Sequence, residues 1–309
     1  MKSTFIILTI TVLCLFSASA QQIDFPRSTE PYLGHKPPGS IPEVLAPDII
    51  SIENGKEFKP TISPDGKEIF FMRRTPNKRN DCIYYSKVEN GVLINPLRAS
   101  FSYNCFEGQP TFSPDGKRLY YMSCRPLPGT TTLCQLPNLW YVEKNDSGWS
   151  EPFYLPNSIN DHRPAQISFS NAGNAFFVSN ITRKIYSAAK LNDSFDEAKL
   201  LDCGINYLEP TGHPSISPDE SYIIVDRIFN RNNKMVSEMY VSFKMPDGKW
   251  SNVLNLNEAL GIKPDDIFSA PRITYDGRFL FFSSNVMETD KGDLYWVSTK
   301  VIEELRPKI

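Results

Sequence analysis

The sequence has no surplus of either charge. Its 33 lysines and arginines face 35 aspartates and glutamates, a formal charge of -2 over 309 residues. A nucleic-acid partner is therefore not expected, because phosphate binding draws on a basic excess that releases counterions. Histidine is scarce, at 3 residues, and no H-x-x-x-H or similar ligand spacing occurs, so neither a metal nor another cofactor is expected. A G-x-S-x-G nucleophile elbow is missing, which removes an α/β-hydrolase. Beyond the N-terminus no apolar run is long enough to span a bilayer.

At the N-terminus itself, Lys2 precedes an apolar run from Phe5 to Phe16, and small residues follow at Ala18 and Ala20. That order reads as a secretory signal peptide over residues 1–20. Cleavage after Ala20 would give a soluble chain from Gln21 without a transmembrane span, exported to a periplasmic or extracellular space. Residues 21–40 carry Pro26, Pro31, Pro37 and Pro38 and read as an extended Pro-rich arm whose truncation leaves the rest folded. Five cysteines remain after Cys14 leaves with the signal, an odd number for an oxidising compartment. Cys124 and Cys134 bracket the loop-like RPLPGTTTL and are candidates to close it as a disulfide. Cys82 with Cys105 is the next pair, with Cys203 left over. The alternative is that all five are small buried hydrophobes.

What the chain does have is a repeated phrase. Ser-Pro-Asp-Gly at Ser63 and Ser113 returns as SNAG at Ser170, SPDE at Ser217 and TYDG at Thr274, at intervals of 50, 57, 47 and 57 residues. Proline presets φ, aspartate favours the bridge region and glycine supplies a left-handed residue, so each copy is a tight hairpin. The runs leaving it (EIFFM, RLYYM, NAFFV, SYIIV and RFLFF) are β-formers, apolar on consecutive residues, as expected of strands covered on both faces. A third strand follows in each copy, and a fourth is clearest in GWSEPFYL and KWSNVLNL. Four strands per repeat without a helical period predict an all-β, five-bladed β-propeller of four-stranded antiparallel blades over residues 41–309, at roughly 54 residues per blade. The fifth copy lacks a fourth strand, whereas IPEVLAPDIIS (41–51) resembles one. The N-terminal strand is thus expected to close the ring.

The SPDG turns, with the lead-in YLGHKPPGSIPEVLAP and the run GWSEPFYLPNSINDHRP, resemble the WD-repeat-like (PD40/TolB-like) propeller family of exported bacterial proteins, over essentially the whole of 41–300. The resemblance implies an envelope binding or scaffolding module, and six blades as the alternative count. Asn171-Ala172 and Glu220 depart from the family's turn. The turns also lack the spaced tryptophan of sialidase Asp boxes.

Placing the strands in a ring puts blade entries and the loops after second strands on one rim. Acids recur near the entries, at Glu57, Glu107, Asp161, Glu209 and Asp266; Arg73 and Arg125 follow second strands, and His162, Arg163 and His213 join them. Such groups suit directed hydrogen bonding to a protein or carbohydrate partner. A carboxylate repeated in several blades equally suits a structural role, accepting backbone N–H groups and pairing with a neighbouring arginine. No catalytic residue is assigned. The expected function is a non-enzymatic propeller that binds a protein or glycan through its channel rim. The alternative is a hydrolase or lyase acting on polysaccharide or peptide at the channel mouth.

Overall fold

The computed structural model describes residues 31–53, 55–74, 81–156, 158–209, 211–264, 266–284 and 291–308. The signal-peptide stretch and the first half of the Pro-rich arm lie outside the described residues. Five small antiparallel sheets stand in a ring, a five-bladed β-propeller.

The first blade runs from the channel outward through Lys56–Ile62, Glu68–Arg74, Cys82–Glu89 and Leu97–Arg98. The second uses Glu107–Phe112, Arg118–Ser123, Asn138–Asn145 and Phe153–Tyr154. The third uses Pro164–Phe169, Ala175–Ser179, Ile185–Ala188 and Lys199–Leu200, and the fourth Ser215–Ile216, Tyr222–Arg231, Lys234–Phe243 and Leu254–Asn255. The fifth takes Phe268–Ile273, Phe279–Ser284 and Leu294–Ser298 from the C-terminal end of the chain and Glu43–Val44 from the N-terminal end. Glu43 lies opposite Trp296 and Val44 opposite Tyr295. The N-terminal strand therefore closes the ring, and five blades, not six, complete it.

Local chemistry explains each inner hairpin. Ser63 Oγ donates to Asp65 at 2.5 Å and accepts from the Glu68 amide at 2.8 Å, while Gly66 takes φ +69°. Ser113, Asp115 and Gly116 repeat the pattern, as do Thr274, Asp276 and Gly277. Glu220 holds the left-handed place, at φ +60°, in the fourth copy. The third turn is one residue shorter, because the Ser170 amide bonds the Asn174 carbonyl where Ser63 bonds Glu68. Second strands such as Ile69 to Met72 are wholly buried, and aromatic clusters fill the spaces between blades.

Residues 31–40 lie against the ring. Leu33 is fully buried, its amide donates to the Gly66 carbonyl at 3.2 Å, and Tyr32 packs on Phe279 and Trp296. Among the described residues no helix is long and apolar enough to cross a membrane.

Candidate functional site at the channel mouth

The first strands are not straight. Register shifts fall between Phe58 and Thr61, Gly108 and Thr111, Pro164 and Ile167, and Ser269 and Arg272. Lys59, Gln109 and Ala270 take φ of 54°, 56° and 55° at three of these bulges. Bulges re-aim side chains. Counted back from each hairpin turn, the matching places in the other blades belong to Gln166 and His213. One residue per blade thus forms a ring at the mouth: Lys59, Gln109, Gln166, His213 and Ala270.

Lys59 belongs to the first blade, yet its amine lies within electrostatic reach of Asp226 in the fourth, which places it over the channel. Burial pushes that amine down to about 8, against the pull of Asp226 and Asp81. Among the described residues the amine has no hydrogen-bond partner, and Gln109, at 8% exposure, has an unpartnered Oε1. Asp226 is fully committed. It accepts from the His213 amide at 2.5 Å, from His213 Nδ1 at 2.9 Å and from the Ala270 amide at 2.9 Å. Burial works against the charged form, but His213 and these donors together hold the Asp226 carboxyl below its usual range. An ionised carboxylate only accepts, so Nδ1 carries a proton and Nε2 is the ring nitrogen not bonded to Asp226. Gly212 is required beside it, since a Cβ there would sit 2.1 Å from Asp226 Oδ1.

Two residues further along, the corresponding ring reads Thr61, Thr111, Ser168, Ser215 and Arg272. Arg272 comes from the fifth blade and bonds the Ile167 carbonyl and Thr111 Oγ1, both at 3.0 Å, in the blades opposite. It thereby crosses the channel and makes a floor. Among the described residues no carboxylate pairs with it, and burial lowers it to about 10. Tyr275 closes the far end, its hydroxyl donating to the Phe112 carbonyl.

The residues anticipated from sequence do not gather in one place. Glu57 and Glu107 occupy equivalent positions and form buried ion pairs, Glu57 with Arg73 Nε at 2.7 Å and Glu107 with Arg125 Nη2. Each arginine also clamps the preceding link, Arg73 at the Ile50 carbonyl and Arg125 at the Phe101 carbonyl. Glu107 additionally accepts from Ser123 Oγ at 3.0 Å and the Tyr103 amide at 2.8 Å. Burial lifts the Glu57 carboxyl to about 7 despite Arg73. The other three acids hold different positions: Asp161 is exposed, Glu209 is exposed and pairs with Lys184, and Asp266 is half-buried, its carboxylate accepting from the Lys263 amide. Their equivalents of Glu57 are Pro164, Thr211 and Phe268. His162 packs tilted against Tyr186 with ring centroids 4.1 Å apart, and Arg163 bonds Asn138 Oδ1 at 3.0 Å.

Of the residues around the channel mouth, His213 was among the candidates named from sequence, and Lys59, Gln109, Gln166, Asp226, Arg272 and Tyr275 were not. The repeat alignment held a signal for two of them. Arg272 stands where every other copy has Thr or Ser, and Tyr275 where the others have Pro or Asn. Among the described residues, no three of His, Cys, Asp and Glu gather to hold an ion. Among the described residues, none of the five cysteines from Cys82 to Cys203 is in a disulfide.

Fold and site together define a closed five-bladed propeller with a floored, polar channel mouth. Neither a protein-family model nor a curated protein matches the chain. Among solved structures, TolB from Acinetobacter baumannii is 16% identical over 78% of this chain and 56% of that one, with a TM-score of 0.47. The chain thus spans little more than half of that protein's length. An α-L-arabinofuranosidase from Podospora anserina, in complex with cellotriose, is 11% identical over 84% of this chain and 97% of that one, with a TM-score of 0.48. The β-propeller domain of the Trilobed protease from Pyrococcus furiosus, of open velcro topology, is 10% identical over 82% and 73%, with a TM-score of 0.37. These likenesses concern the fold and no individual residue.

Proposed function

We propose that the protein is an exported, non-enzymatic propeller that binds a protein or glycan partner through the rim of its central channel. The observation behind this reading is the pair Lys59 and Gln109. They occupy the same bulge position on neighbouring blades, beside a floored channel; Gln109 Oε1 is buried without a hydrogen-bond partner among the described residues, and the half-buried Lys59 amine lies beside it. Polar groups so placed ordinarily find partners, and a polar ligand entering the mouth would supply them. Export rests on the signal-peptide reading of residues 1–20.

A thermal-shift screen of the protein with soluble envelope glycans and short peptides tests the proposal. A ligand at a hundred times its dissociation constant stabilises the folded state by about 2.7 kcal/mol. The expected result is a saturable shift that Lys59→Met and Gln109→Leu each abolish. A shift that survives both substitutions would move the site away from the mouth.

One observation favours the second reading, a hydrolase or lyase. Asp226 fixes the His213 tautomer and leaves Nε2 open as a candidate general base. Release of product from a polysaccharide by the wild type, lost in His213→Gln at unchanged melting temperature, would establish that reading over the non-enzymatic one.

A further inference from the structure

Away from the channel wall, the repeats differ in how they fill the wedges between blades. Trp149 and Trp250 hold equivalent places. Each lies opposite a lysine, Lys144 or Lys244, and the serine after each accepts from the amide of the residue before that lysine. Phe70 and Phe176 also correspond, counted from their hairpin turns with allowance for the shorter third turn. The residues paired with them do not match. Phe70 stacks on its partner Tyr85 with ring centroids 5.3 Å apart, whereas Phe176 is paired with Ser187. Trp149 then meets Phe70 edge-on at 5.7 Å, completing three rings between the first and second blades. Between the third and fourth blades the middle ring is missing. Among the described residues no ring-on-ring contact involves Trp250.

The result is a cleft of about 470 Å³ lined by Phe176, Ser187 and half-buried Trp250, with Asp202, Glu220, Lys244 and Lys249 around it. That volume lies within the range of about 300–1,000 Å³ usual for small-ligand sites. Glu220 is the residue that stands where three other turns have glycine, and its Oε1 accepts from Asn174 Nδ2 of the third turn at 2.8 Å. The two irregular turns thus meet at this cleft. Its chemistry selects an occupant. Two carboxylates only accept hydrogen bonds and two ammonium groups only donate. Their charges cancel, so no net field favours an ion. Hydroxyls both donate and accept, and the C–H face of a sugar ring suits the face of an indole. We propose that this cleft binds a neutral hexopyranose unit of a glycan, seated against Trp250 in the space that a tyrosine ring fills between the first and second blades. The site is separate from the channel mouth and independent of the reading given for it.

The test is binding of the full chain to an array of neutral, uronic-acid and sulfated glycans, with titration of those that bind. The expected result is binding of neutral glycans, weakened about tenfold or more in Trp250→Ala and largely kept in Trp250→Phe. Asp202→Ala and Lys244→Ala alter exposed residues. Both should weaken binding at an unchanged melting temperature, which decides the matter even if Trp250→Ala folds poorly. Lys59→Met should bind as the wild type does. Loss in Lys59→Met with full binding in Trp250→Ala would assign the glycan to the channel mouth instead. A preference for acidic glycans, tighter binding of N-acetyltyrosinamide than of any sugar, or no neutral glycan bound would overturn the proposal.

Discussion

Arg125 and Glu107 carry opposite charges in a place water scarcely reaches, since Glu107 is 1% exposed. Removing one partner strands the other, which typically costs about 3–5 kcal/mol. Arg125→Ala should therefore lose stability on that scale in denaturant unfolding, with the stacking of the guanidinium on Tyr121 and Trp140 lost as well. A loss under about 1 kcal/mol would mean that Glu107 is hydrated and free for a ligand. The equivalent Glu57 makes a pH prediction. Its carboxyl is raised from 4.5 to about 7 by burial. Between those values the folded chain keeps a proton that the unfolded chain has released, so this group's stabilisation falls as pH rises through the window. Melting temperatures from pH 4.5 to 7.5 should show that fall in the wild type and less of it in Glu57→Gln. Equal slopes would place the Glu57 titration outside the window.

Among the elements, the five hairpins were the most legible part of the sequence, because their chemistry lies within six consecutive residues. Proline, aspartate and glycine act on their own turn, whatever the ring around them does. The surroundings of those turns were not legible, and they separate turns that look alike. Gly66 and Gly277 share the same conformation, at φ +69° and +70°. A Cβ on Gly277 would meet nothing nearer than Pro218 Cγ at 3.8 Å, whereas one on Gly66 would come within 2.7 Å of the Tyr32 ring. Gly277→Ala should cost only the left-handed strain, about 1–2 kcal/mol. Gly66→Ala should cost measurably more, since Tyr32 must leave its place against Phe279. Equal costs would show that Tyr32 yields freely. The channel ring was hidden for a related reason. Lys59 and Gln109 reach the mouth through bulges, and Asp226 meets Ala270 only because neighbouring blades converge there. Of the five entry acids, only Glu57 and Glu107 share a place counted from the turn; the matching places in the other blades are Pro164, Thr211 and Phe268.

At the scale of the molecule, the ring is closed by chain that precedes all five repeats. The missing fourth strand in the last copy made this readable in advance, but the docking of residues 31–40 was not, because prolines there suggest an arm and Leu33 is a single apolar residue among them. Two deletions separate the contributions. Removing residues 21–40 takes away buried Leu33 and Tyr32 and two backbone bonds, Leu33 to the Gly66 carbonyl and Ser298 to the Gly39 carbonyl. Truncating one buried leucine alone costs about 2–5 kcal/mol, so this chain should melt several degrees lower, still in one cooperative transition. Removing residues 21–51 also takes the strand Glu43–Val44, and with it Leu45 and Ile50, both fully buried between the first and fifth blades. The outer edge of the third strand, Leu294–Ser298, then loses its partner and the two terminal blades lose their shared core. An unpaired edge invites association with other chains. The longer deletion should therefore give no cooperative melt and a tendency to aggregate in light scattering. If instead both deletions melt alike, closure by Glu43–Val44 contributes little, and the ring is held mainly by packing between blades.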